Sequence, residues 1–397
     1  MATFTALAAT GVNSDLLFPG LRGGDNWHTL TDTADTFSIQ YDADGNRPGT
    51  GLVVTFHGSS FHYGADYMPD GGTVDSITLS SGFLTLGRWN FDTPVGSLED
   101  YLDKNGPTAE IIGALEKFNG NAGDDRLLGH GNQDEFHAGG GNDTIVLSTN
   151  NSGSTVDGGA GFDTLELQGA NQLNLAKVTS IEAVSFNSLF GASVTFFGSE
   201  IGNGGLSSAL HVTGDSHANS LEFSPSLAGT SMSIDLSGFT FSNWDTEADS
   251  VTINGGALAD TLIGSKVSDH INGGLGGDLI RGGLGQDFLT GGADHDIFDF
   301  NSVKESKVGS THRDNIMDFE SGTDDIDLRT IDAKKGVHGN QKFDFIGKHG
   351  FHDVKGELRY KDLGSKVIVQ GDTNGDGKAD FEIWVNADAL NAHDFLL

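Results

Sequence analysis

The chain has 397 residues, no cysteine, and 22 basic side chains against 56 acidic ones, for a formal net charge of −34. Without cysteine there is no disulfide framework, no thiol nucleophile and no sulfur-based zinc site. Without Lys/Arg patches, nucleic acid and anionic membrane surfaces are poor partners. No apolar run approaches the roughly 18 residues of a membrane span. The 59 glycines keep no period of three and stand beside only 6 prolines, which excludes collagen. The hydrophobic share of 36%, with 26 Phe, is too high for a solvated acidic tail. These numbers describe a chain that folds when something cancels its charge.

The first segment, MATFTALAATGVNSDLLF, has no basic start and no long apolar core, so it is not a Sec-type signal. Residues 1–117 read as an N-terminal β-rich domain. TFSIQYDADG, GLVVTFHGSSFHYG and VDSITLSSGFLTLGRWNF are strands bounded by Gly/Asp turns. Pro107 to Phe118 is expected to form a short helix. This region contains neither the His-Glu-x-x-His nor the Gly-x-Ser-x-Gly catalytic motif. His57 and His62 flank a Gly-Ser-Ser and read as surface histidines on a strand. Asp66, Asp70 and Asp75 surround a Pro-Asp-Gly-Gly turn whose loop chemistry explains them without a cation.

An internal repeat begins next. In residues 118–169 Asp recurs at nine-residue intervals at Asp125, Asp134 and Asp143, followed two positions later by Leu127, Phe136 and Ile145. After a two-residue slip comes GGAGFDTLE, with Asp163. Residues 170–250 are poorer in Asp, and VSFNSLF, VTFFGSE and MSIDLSGFTF read as strands. Asn219 stands in an echo of the repeat, so this segment is expected to be a degenerate, mostly metal-free solenoid. A separate globular insert is the competing reading. In residues 251–300 the period returns at Asp260, Asp269, Asp278, Asp287 and Asp296, each followed by Leu262, Ile271, Ile280, Leu289 or Phe298.

Each nonapeptide is a Gly-rich turn followed by a short strand. Two repeats make one coil of a right-handed parallel solenoid, so residues 18 apart stack. Asp260, Asp278 and Asp296 then line one side, with Asp269 and Asp287 on the other. At a strand spacing of about 4.8 Å, two carboxylates repel by ~0.9 kcal/mol in water and ~3.5 kcal/mol at an effective dielectric of 20. A whole row resists folding unless a cation lies between coils. Asp carboxylates and turn carbonyls are hard oxygens, which suit Ca²⁺ with its 6–8 ligands and do not suit zinc or copper. Glycine supplies the φ > 0 and the close backbone approach. The alternative is a Gly/Asp-rich solenoid that needs no metal.

At these residues the chain resembles the RTX (repeats-in-toxin) proteins, whose nonapeptide is a known calcium-binding β-roll signature. The resemblance implies several Ca²⁺ ions held between coils by Asp125, Asp134, Asp143, Asp163, Asp260, Asp269, Asp278, Asp287 and Asp296. The turn glycines Gly123, Gly141, Gly161, Gly273, Gly276, Gly282 and Gly285 complete the pattern. The fourth-position glycine is replaced by Asn132, Leu258, Val267 or Asp294 in four turns, which puts those sites in doubt.

Residues 301–397, with the end of the roll, carry a second resemblance. DIFDFNSVKES (Asp296–Ser306), RDNIMDFESGTDDIDL (Arg313–Leu328), GELRY (Gly356–Tyr360) and GDTNGDGKADFEI (Gly371–Ile383) are similar to the C-terminal domain of serralysin-type secreted proteases. Their catalytic domain has no counterpart here. The Asp394-Phe-Leu-Leu397 segment resembles the C-terminal signal read by type I secretion machinery. Asp372 to Asp380 offers oxygens in an EF-hand-like order but lacks Glu at the twelfth position, so a polar hairpin turn competes with a cation loop.

The expected fold is therefore all-β: a Ca²⁺-stabilised parallel β-roll with an N-terminal β domain and a serralysin-like β-rich flank. The expected protein is secreted or held at a bacterial cell surface, binds calcium, and is not an enzyme. It serves as a coat, matrix component or adhesin through self-assembly or contact with a cell surface or polysaccharide. The first alternative is a hydrolase or polysaccharide-modifying enzyme, or a remnant of one, acting through residues 1–117. A membrane-acting toxin is the other, and no basic amphipathic helix supports it.

Overall fold

The computed structural model describes the backbone of strands 27–32, 36–41, 52–63, 69–81 and 84–94. It also describes residues 117–397 other than 121, 129–133, 148–152, 170, 171, 203 and 226–230. Among the described residues there is no α-helix. The chain divides into two units: residues 1–168 with 175–181, and residues 169–174 with 182–397.

The first unit opens with a five-stranded antiparallel meander, Trp27–Asp32, Thr36–Tyr41, Leu52–Tyr63, Pro69–Ser81 and Leu84–Pro94, in sequence order. These strands cover the segments expected to be extended. His57 and His62 lie on the third of them, and their side chains fall outside the described residues. Most of the expected Pro107–Phe118 helix also falls outside. Its last two residues begin the strand Lys117–Asn119, because they pair in parallel with Glu135–His137 and so enter the roll directly.

The roll then alternates between two parallel ladders. Lys117–Asn119, Glu135–His137, Thr155–Asp157 and Lys177–Thr179 form one. Arg126–Leu128, Thr144–Leu147 and Thr164–Leu167 form the other. The apolar residue two places after each Asp points inward. Phe136 and Val156 stack in register on one side, and Leu127, Ile145 and Leu165 on the other, all buried.

The second unit uses the same device at greater length. Its six-stranded sheet runs Ser233–Asp235, Thr261–Ile263, Leu279–Arg281, Ile297–Asp299, Asp325–Asp327, Phe395–Leu396. The inward row of this sheet is Ile234, Leu262, Ile280, Phe298, Ile326 and Phe395, each buried. Opposite lies an eleven-stranded sheet whose inward row includes Phe196, Phe223, Ile253, Ile271, Leu289, Ile316 and Val385. Parallel strands from residues 172–254 continue this sheet into the nonapeptide block. Coils are 18 residues long where the nonapeptides repeat. They lengthen to 27 to 30 residues on either side. The sheet closes with the antiparallel hairpins of Glu357–Asp362, Val367–Asp372 and Phe381–Val385.

Because every coil buries its apolar residue against the coils above and below, stability is spread along the ladder. Truncating Phe298 (0% exposed) to alanine should cost about 3–5 kcal/mol through lost burial and the cavity left behind. Leu284→Ala, on an exposed turn, should stay within about 0.5 kcal/mol. Urea unfolding in calcium measures both; equal losses would mean the ladder is not the core.

Candidate metal centre

The aspartates two positions before the inward residues are themselves buried. In the second unit Asp260, Asp278 and Asp296 form one row and Asp269 with Asp287 the other, all at most 3% exposed. In the first unit Asp125, Asp143 and Asp163 form a row, and Asp134 lies on the opposite side, where Ser154 Oγ accepts its peptide N–H at 2.8 Å.

Each row is tied together in one way. The Asp260 N–H donates to Asp278 Oδ1 at 2.7 Å, Asp278 N–H to Asp296 Oδ1 at 2.8 Å, and Asp269 N–H to Asp287 Oδ1 at 2.9 Å. In the first unit Asp125 N–H reaches Asp143 Oδ1 at 2.7 Å and Asp143 N–H reaches Asp163 Oδ1 at 2.8 Å. One oxygen of each acceptor is thus used by the coil before it. The other oxygen is a different matter. Oδ2 of Asp143, Asp278, Asp287, Asp296 and Asp314 is buried with no hydrogen-bond partner. A carboxylate oxygen left so carries its full desolvation penalty.

The glycines explain where those oxygens point. A Cβ at Gly273 would lie 2.2 Å from Asp278 Oδ2 and 2.6 Å from the Gly291 carbonyl oxygen. At Gly282 it would lie 2.3 Å from Asp287 Oδ2. The first glycine of the turn therefore keeps open the space into which the carboxylate projects. The fourth glycine takes left-handed φ: +106° at Gly141, +143° at Gly161, +105° at Gly276 and +140° at Gly285. Coils also touch there, since a Cβ at Gly141 would lie 2.5 Å from the Gly123 carbonyl carbon.

Two members of these rows lie outside the nonapeptides. Asp287 N–H donates to Asp314 Oδ1 at 2.9 Å, and Asp296 N–H to Asp324 Oδ1 at 3.1 Å. Both were missed because the coil lengthens and the nine-residue period ends. The signal that survives is Asp with an apolar residue two places on, Asp314 with Ile316 and Asp324 with Ile326.

The two rows of the second unit differ in access. A cleft of about 510 Å³, lined by Asp260, Asp278, Leu279, Asp294, His295 and Ile297 among others, opens beside the first. The row of Asp269, Asp287 and Asp314 is more deeply enclosed. Ser306 Oγ accepts the Asp314 N–H at 2.8 Å and donates to the Glu382 carbonyl. Burial, opposed by the peptide N–H each accepts, raises Asp143, Asp278 and Asp296 to about 6. Asp287 rises to about 7, by burial and then the Glu305 carboxylate. Asp269 and Asp314 are pushed well above the usual range by burial, with the Asp287 charge adding.

Among the described residues no three carboxylates or imidazoles converge on a point. An ion here would therefore be shared between carboxylates of successive coils and main-chain carbonyls. A buried oxygen without a partner, a glycine-lined cradle and an all-oxygen donor set fit Ca²⁺ and supply no soft ligand. The Asp372–Asp380 loop lacks these features. Asp372 accepts N–H groups of Asn374, Gly375 and Gly377, and Asp380 accepts those of Thr373 and the Asn374 amide. Its carboxylates cap a hairpin turn.

The raised carboxyls set the sign of a pH effect. Without calcium, the folded chain holds protons on Asp143, Asp278, Asp287 and Asp296 at a pH where unfolded carboxyls, near 4, are ionised. Folding then takes up protons, so stability should rise as pH falls through about 7 and 6, levelling off below the unfolded value. Circular dichroism in EGTA should show β structure growing from pH 8 to 5. In calcium, protons compete with the ion and the calcium midpoint should rise over the same interval. β structure in EGTA that declines as pH falls would contradict the buried rows.

Residues 207–397 match the family described as peptidase M10 serralysin C terminal, and residues 116–145 match the family described as RTX calcium-binding nonapeptide repeat (4 copies). No curated protein matches the chain. Two solution structures of subunits of the Azotobacter vinelandii mannuronan C5-epimerase are similar over part of it. The AlgE6R3 subunit is 24% identical over 36% of this chain and 76% of its own, with a TM-score of 0.27. The AlgE6R2 subunit is 26% identical over 38% of this chain and 96% of its own, with a TM-score of 0.26. Neither family match is to a protease catalytic domain. This is an all-β chain that carries RTX calcium-binding repeats and a serralysin-type C-terminal region.

Proposed function

We propose that the chain is a secreted calcium-binding protein that leaves its cell by a type I route with the roll open and folds when it meets extracellular calcium. The observation that carries this reading is the set of buried Asp oxygens without partners at Asp143, Asp278, Asp287, Asp296 and Asp314. Such a fold is poorly compensated by protein groups alone, and a cation in the cradle would reverse the repulsion within each row. Millimolar extracellular calcium suits the roughly 10⁻⁴–10⁻³ M affinities of extracellular modules. Binding free energy then becomes folding free energy. The export-signal-like segment supports the same order of events. Phe395–Leu396 pair with Ile326 and Asp327 and Phe395 is buried, so these residues can be read only before the roll closes. The folded product acts without catalysis, as a surface coat, matrix component or adhesin.

Size exclusion with light scattering, in calcium and in EGTA, tests this. A compact particle or an ordered assembly in calcium, against an expanded monomer in EGTA, is expected. Equal dimensions in both would end the folding-switch reading. Turnover of casein, alginate or an ester by the calcium-loaded chain would overturn its non-enzymatic part.

A further inference from the structure

Taking calcium as the ligand proposed above, we infer that the Asp turns of this chain fall into two classes and that only one class takes the ion. The dividing feature is the second residue of the turn, four places before the Asp. In five turns it is a left-handed glycine: Gly139 at φ +103°, Gly159 at +92°, Gly274 at +102°, Gly283 at +100° and Gly292 at +106°. Asp163 closes the Gly159 turn, and Asp143, Asp278, Asp287 and Asp296 close the other four. Each of those four is at most 1% exposed with Oδ2 unpartnered. The Gly292 turn belongs here although Asp294 replaces its fourth glycine, because Asp294 itself adopts φ +81°.

In four other turns the second residue is not left-handed and its own N–H closes on the carboxylate. Gly256 N–H donates to Asp260 Oδ2 at 2.6 Å and Ser265 N–H to Asp269 Oδ2 at 2.6 Å. Ser265 Oγ also donates to Asp269 Oδ1 at 3.0 Å. Asp245 N–H closes on Asp249 and Glu320 N–H on Asp324 in the same way, both at 2.8 Å. A peptide hydrogen there occupies the lone pair that a cation would use. Such a turn satisfies its carboxylate from within the chain and needs no ion. Asp314 follows an irregular segment and belongs to neither class.

The closed turns at 245–249, 256–260 and 265–269 are consecutive and precede the open ones of residues 273–296, and that at 320–324 follows them. The calcium-dependent coils of residues 273–296 are thus set between coils that close without metal. Leu258 and Val267 in the fourth position favour the closed form, since branched residues disfavour left-handed φ.

Calcium counting by isothermal titration of the full chain, with Ca²⁺ alone as the probe, tests the division. Asp260→Asn and Asp269→Asn should bind as many ions as the parent, while Asp278→Asn and Asp287→Asn should each lose at least one. Loss of an ion by Asp269→Asn equal to that in Asp287→Asn would overturn the division. Because a change in an open turn can prevent folding, the second variant is Leu258→Gly on the exposed closed turn. It should gain an ion, and no gain counts against the division. A parent chain that binds no calcium would instead overturn the proposed function.

Discussion

The structure depends on one electrostatic constraint: carboxylates stacked at strand spacing inside a protein. Each acceptor in the linked rows spends one oxygen on the peptide N–H of the coil before it, which fixes the register between coils. The second oxygen then has to be satisfied by something else. Most local features follow from that need. The first glycine clears the space, the second turns left-handed or closes on the carboxylate, and the 18-residue coil keeps successive Asp residues in line.

Where Asp turns no longer repeat at nine-residue intervals, the geometry relaxes. Coils grow to 27 to 30 residues, and contacts between large apolar side chains take over the stacking. Phe223 meets Phe196 and Phe239 with ring centroids 5.9 and 6.0 Å apart. Aromatic pairs at such distances add to the burial term. At the far end Phe395 extends the inward row through a strand of two residues, and Phe345 packs on it at 5.0 Å. The buried Asp394 accepts from Ser321 and Gly322, so the last strand is held by a carboxylate as the nonapeptide coils are.

Much of this was legible residue by residue. The interval between Asp260, Asp278 and Asp296 announces which side chains stack, because a coil of fixed length leaves no other register. The apolar residue two places after each Asp announces the core, because side chains on a strand alternate. Asp314 and Asp324 escaped, since their spacing is irregular and the peptide N–H groups of Asp287 and Asp296 that they accept reveal their place in the rows. The extended state of Lys117 and Phe118 also escaped, because local propensity cannot report a partner strand at residues 135–137.

The sequence by itself determined the solenoid, its two Asp rows and the hard-oxygen chemistry of its turns, because period and residue type act locally and repeat. Only the tertiary structure decided which carboxylates remain in need of a ligand. Gly256 and Gly274 hold the same position in their turns, yet Gly256 closes its N–H on Asp260 while Gly274 turns left-handed and leaves Asp278 with a buried free oxygen. That difference lies in the handedness of a single residue, which depends on how neighbouring coils approach and not on the motif alone.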